Sequence, residues 1–133
     1  MTGQPDPAAL SMRLARRARD EAYAFRQLAV ASDIADEMVG LHAQQAVELW
    51  LAAVLVLRDS VPARDHDLGR LIEILQSAGI EPPPAVDRLR KLSQYAAPLH
   101  GEYFLDTEPL DRDATVALVD EVGSWAEVET RDS

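Results

Sequence analysis

The sequence predicts an all-α fold, a five-helix up-and-down bundle. Three observations carry this. Glycine is scarce, at 6 of 133 residues. No segment alternates apolar and polar residues as a half-buried strand does. Apolar residues instead recur at spacings of three and four, the period of a helix with one buried face.

The first helix is expected from about Pro7 to Ala31, with proline at a position that tolerates it. Ser32 and Asp33 follow as candidate caps for the next helix. The second is expected from about Ile34 to Ser60 and stops before Pro62. The third opens after Asp65-His66-Asp67 and closes at Gly79, a residue suited to the left-handed turn past a helix end. Pro82-Pro83-Pro84 breaks the chain and leads into the fourth, about Ala85 to Ala97, which Pro98 ends. A loop through Gly101 and Pro109 precedes the fifth, about Asp111 to Glu129. There are no repeats and no low-complexity tracts. The chain reads as one domain with a core from about residue 8 to residue 129 and frayed ends, Met1 to Asp6 and Thr130 to Ser133.

The second helix contains LHAQQAVELWLAAVLVL, residues 41–57. Advancing about 100° per residue from Leu41 places Ile34, Met38, Gln45, Glu48, Ala52 and Leu55 on one stripe. Ala43, Val47, Trp50, Val54 and Leu57 fall on the opposite side and are also apolar. A helix apolar on both sides needs cover on both sides. One stripe is expected in the bundle core and part of the other against a second copy of the chain. Gln45 and Glu48 then sit on an apolar stripe. An unpartnered buried amide costs about 1–3 kcal/mol and a carboxylate more. Partners are therefore expected from Asp65 and His66 or from Tyr95. The network either fixes helix order or forms a ligand site.

Composition narrows the function. There are no cysteines, so disulfides and thiolate metal sites are excluded. The opening residues lack the apolar run of a signal peptide, and LWLAAVLVL is about half the length of a membrane span. A cytoplasmic protein without a membrane partner is expected. The formal charge is −10, unevenly spread. Met1 to Val30 holds five arginines against three acids, and His100 to Ser133 holds ten acids against two arginines. General attraction to nucleic acid is disfavoured. Arg13, Arg16, Arg17 and Arg19 are either a local basic patch or a solvated helix face.

Three histidines are the candidate chemistry. His66 lies between two aspartates at a helix start, where Asp65 or Asp67 can cap backbone N–H groups. It serves the polar network or acts as a general base, though no nucleophile pairs with it in sequence. His100, with Tyr103 assisting, can meet its symmetry mate across a dimer axis for acid–base cleavage of RNA, but its surroundings are acidic. His42 falls at the edge of the core. A zinc site from His42, His66 and His100 lacks the pairwise spacing that helices use for metals, so no metal and no cofactor are expected. There is no glycine-rich phosphate loop and no nucleophile elbow. Trp50 and Trp125 read as packing or interface anchors rather than base-stacking platforms, the latter beside Val116, Val119 and Val122.

The run LHAQQAVELWLAAVL, followed by DHDL at a helix start and LSQYAAP at a helix end, resembles the HEPN domain family. The family's run is similar to F-x-A-Q-Q-A-x-E-K-x-L-K-A. Leu41, Ala43, Gln44, Gln45, Ala46, Glu48, Leu51 and Ala53 match it, and His66, Asp67 and Leu68 match its H-D-L. The resemblance spans about Ala8 to Glu129. It implies a dimeric five-helix bundle linked to nucleotide or RNA chemistry. Many such domains accompany a minimal nucleotidyltransferase, often as a toxin–antitoxin pair, and others are metal-independent ribonucleases with an Arg-x4–6-His motif. It also implies Gln44, Gln45, Glu48, His66 and Asp67 as the ligand or polar-network residues.

The ribonuclease pattern is not met. No arginine precedes a histidine at that spacing, Leu49 and Ala52 stand where the family has lysine, and YAAPLHGEYF lacks the family's Arg-Tyr. A catalytically silent binding module is therefore expected, acting as a homodimer with a partner protein such as a nucleotidyltransferase. RNA or a nucleotide is a weaker candidate ligand. The alternative is a ribonuclease toxin with a non-standard site at the dimer interface around His66 and His100. A plain dimeric scaffold is the third reading.

Overall fold

A computed structural model gives the fold. It describes residues 6–58, 66–100 and 109–131, without the side chains of 98–100. Asp65, Tyr103 and both chain ends lie outside the described residues. Five α-helices are present and no strand occurs among the described residues. They are α1 (Pro7–Ala29), α2 (Asp36–Leu57), α3 (Leu68–Ser77), α4 (Val86–Leu92) and α5 (Arg112–Arg131).

Local chemistry sets most boundaries. Asp6 caps α1 by accepting from the Ala9 N–H at 3.2 Å, and Pro7 follows it. Asp67 caps α3 by accepting from the N–H groups of Gly69 and Arg70. Gly79 closes α3 with φ +77°, and the Ile80 N–H reaches the Leu75 carbonyl. Two expectations need correction. Neither Ser32 nor Asp33 caps α2; the cap position is Ala35, without a side-chain bond. The fourth helix is α only to Leu92, then tightens into a 3-10 segment, Ser93–His100, that runs past Pro98. Proline removes a helical donor and crowds the carbonyl four residues back, so the turn before it leaves α geometry.

Helix α2 is the centre of the bundle. It runs antiparallel to α1, as the Ser11 Oγ bond to the Ala53 carbonyl and the Glu21–His42 contact show. It runs alongside α5 in the same direction, since Asp36 meets Arg112 and Arg58 meets Glu129. Phe25, Val39, Ala43, Val47, Leu51, Val54, Leu55, Leu68, Ile72, Leu75, Leu89 and Val119 are fully buried around it. Among the described residues, α2 is long and apolar enough to cross a membrane, yet 61% of its most apolar window is buried inside the bundle.

Of the two apolar stripes of α2, the one through Ala43, Val47, Trp50 and Val54 faces the core. The buried arc is centred on Ala43, Val47 and Val54, and the Leu41–Gln45–Ala52 stripe is a half-buried flank up to Leu55, which is buried. Gln44, not Gln45, is the fully buried amide. Both stripes were apolar, so periodicity alone had no means to rank them. Two glycines allow close packing against this helix. A Cβ on Gly40 would sit 2.5 Å from the Tyr95 ring, and one on Gly123 of α5 would sit 2.9 Å from the Trp50 ring. Trp125 is half-buried beside the buried Val119 and Val122, and its indole N–H donates to the Glu81 carbonyl at 2.9 Å.

Arg112 joins the ends of α1, α2 and α5. Its guanidinium donates to the carbonyls of Leu28, Ala29, Ala31 and Ile34 and to the Asp36 carboxylate. Asp36 also accepts from the Leu110 N–H at 3.0 Å. That backbone bond, then the Arg112 bond and charge, hold the Asp36 carboxyl below its ordinary value against the opposing effect of burial.

Candidate functional site

The polar residues of α2 meet the start of α3 through a connected set of hydrogen bonds. The Gln44 side-chain N–H donates to Glu48 Oε1 at 3.1 Å and to the His66 carbonyl at 2.9 Å. Glu48 Oε1 lies 2.9 Å from His66 Nδ1, where an imidazole N–H donates to the carboxylate. Gln44 Oε1 is buried with no hydrogen-bond partner among the described residues. Helical spacing explains the geometry: residues 44 and 48 are one turn apart on the same face. Ser93 Oγ accepts from the Leu68 N–H at 2.7 Å, which fixes the first turn of α3 from its other side.

Beside this set lies a cleft of about 180 Å³ between α1, α2 and the start of α3. Arg17, Glu21, Gln45, Glu48, Leu49 and His66 line it. A second imidazole–carboxylate pair flanks it, since Glu21 Oε2 lies 2.9 Å from His42 Nδ1. The cleft wall therefore carries one guanidinium against two carboxylates, each carboxylate paired with a histidine. Such a lining can hold a donor-bearing group. It offers little positive charge to a phosphoryl transition state.

The expected residues divide as follows. Gln45, Glu48 and His66 share the cleft, and Gln44 lies inward of them. The expectation that glutamine meets His66 holds through Gln44, and the acceptor is the His66 carbonyl, not its ring. Asp67 caps α3. Tyr95 is buried and covers Gly40. The His100 backbone ends the 3-10 segment, its side chain is outside the description, and Tyr103 lies outside the described residues. Among the described residues, no group of three His, Asp or Glu side chains is placed to hold a metal ion. Sequence reasoning missed Glu21 as the partner of His42, and it missed Arg17 as a neighbour of His66. No spacing rule links residues on separate helices, so only packing reveals these pairs.

The fold and this polar clasp define the class: a small all-helical domain whose central helix uses a glutamine and a glutamate to hold the following loop. The HEPN domain family model matches residues 12–127, and the chain belongs to the HEPN domain family. No curated protein and no solved structure matches the chain.

Proposed function

We propose that this HEPN domain is a catalytically silent binding module. It acts as a dimer with a protein partner such as a minimal nucleotidyltransferase, in a toxin–antitoxin or defence setting. One observation carries the reading: in the cleft that contains His66, the carboxylates of Glu21 and Glu48 outnumber the single guanidinium of Arg17. Cleavage of a phosphodiester gathers negative charge, and two carboxylates oppose it. His66 is also held to α2 through both its carbonyl and its ring, which suits a structural clasp.

A second reading has one specific support. Arg17 and His66 line the same cleft although no Arg-x4–6-His motif exists in the sequence. An arginine and a histidine so placed are the elements of a rearranged ribonuclease site within one chain.

Two measurements test the proposal. Purified full-length chain incubated with RNA is expected to leave it intact. Co-expression with a nucleotidyltransferase encoded beside it is expected to give near-stoichiometric co-purification. RNA cleavage that disappears in both Arg17→Ala and His66→Ala would establish the second reading instead.

A further inference from the structure

A shallow groove lies on the outer side of α5, against the segment between α3 and α4. Pro84, Asp120, Glu121, Ser124, Trp125 and Val128 line it, around a volume of about 450 Å³. Its apolar floor comes from two elements. Trp125 and Val128 lie one turn apart on α5, with Glu121 one turn before them on the same stripe, and Pro84 is exposed beside them. Val128 is 51% exposed. Trp125 is half-buried, and its indole N–H donates to the Glu81 carbonyl at 2.9 Å, so the ring is held by its pyrrole edge.

The charges around this floor have one sign. Asp120 and Glu121 are exposed carboxylates. Asp120 gives one oxygen to Arg26 at 2.9 Å, and Glu121 makes no ion pair among the described residues. The grooves between α1 and α5 carry Arg16, Arg19 and Arg26, the cleft beside α4 carries Arg88 and Lys91, and the cleft beside α2 carries Arg17. Among the described residues, no arginine, lysine or histidine lines the Trp125 groove. Helix α5 as a whole holds five acids against two arginines, and Arg112 is committed to the clamp at its start.

An indole with carboxylates at its rim suits a cation on an apolar stem. A guanidinium or ammonium is attracted to the ring face, and its methylenes cover apolar neighbours such as Val128 and Pro84. A nucleic-acid backbone or an anionic lipid surface meets only repulsion here. We infer that this groove binds an arginine or lysine side chain from a basic segment of a partner protein. The ring is already fixed by its bond to Glu81, so docking spends little on ordering it. The charges around the groove speed encounter with a basic segment and disfavour an acidic one. The inference rests on the binding-module reading proposed above and gives that partner a surface and a charge.

The test titrates the full chain by calorimetry with a capped eight-residue peptide of arginine, leucine and serine, and with its counterpart carrying glutamate for arginine. The basic peptide is expected to bind more weakly as salt is raised, and the acidic one not at all. Trp50→Phe leaves Trp125 as the only tryptophan, and its emission is expected to shift with the basic peptide. Trp125→Phe is expected to weaken binding about 10-fold and Glu121→Gln about 5-fold. Glu127 lines the α1–α5 groove instead, so Glu127→Gln removes the same charge from α5 and is expected to weaken binding less than about 2-fold. Equal losses from Glu121→Gln and Glu127→Gln, or an unmoved Trp125 emission, would show attraction to net charge alone and overturn the site. Self-association abolished by Trp125→Phe would put a second copy in the groove and overturn it too. A basic peptide that fails to bind, while a partner still co-purifies, would overturn the groove and leave the binding-module reading standing. Binding at Trp125 by a chain that also cleaves RNA would uphold the groove and overturn that reading instead.

Discussion

Replacing Arg112 with methionine removes the junction that ties three helix ends together. The guanidinium donates to four backbone carbonyls and to the Asp36 carboxylate, and its side chain is 21% exposed. Methionine fills part of the volume but donates nothing. The Leu28 and Ala29 carbonyls at the end of α1 can turn partly to water. Asp36 keeps its Leu110 bond but loses its counter-charge. A hydrogen bond to a charged group contributes about 1.5–3 kcal/mol, and bonds sharing one donor group are not additive. The net loss is about 3 kcal/mol, and in a domain of this size that lowers Tm by about 10 °C. Chemical denaturation of Arg112→Met beside the wild type measures it, and Arg112→Lys, with a point charge but no planar fork, falls between the two. A loss below about 1 kcal/mol for Arg112→Met would show that the three helix ends hold together without this clamp.

Further outcomes concern the same network and the packing around α2. Asp36 titrates below its ordinary value in the folded protein, so its contribution to stability is full above the unfolded aspartate value. It is lost as pH falls through the folded value. Asp36→Asn therefore flattens the acid limb of the stability profile, and an unchanged limb would contradict the assignment. Gly40→Ala forces a methyl group into the buried Tyr95 ring and is expected to cost about 1–3 kcal/mol, despite alanine's better helix propensity. A more stable Gly40→Ala protein would show that Tyr95 does not cover α2 there. Gln44→Leu leaves the His66 carbonyl and Glu48 short of a donor. It is expected to cost about 1–3 kcal/mol and to speed amide exchange in the first turn of α3. Slow exchange there would leave the clasp without a structural role.

Helix existence and order were legible from period and punctuation. Asp6-Pro7, Asp67 and Gly79 act where the chain was read to start and stop helices, because capping depends on a few adjacent backbone groups. The family pattern was legible too, since its residues lie within two short runs. The cap of α2 was not: Asp36 spends its carboxylate on Leu110 and Arg112, residues far along the chain. The candidate site was half legible. Glu48 and His66 were named as members of one network with both Gln44 and Gln45, and packing alone shows that Gln44 is the buried amide of the two.

By itself the sequence determined an all-α chain, its helix order and its membership of a family, because each follows from local spacing of residue types. Tertiary packing decided which side of α2 is core, which glutamine turns inward, and that Arg17, Glu21 and His66 share a cleft. These depend on how helices rotate about their own axes and lean on one another. With α2 apolar on two sides, that rotation is chosen by the fit of Gly40 to Tyr95 and Gly123 to Trp50 and by the reach of Arg112, none of which a period encodes.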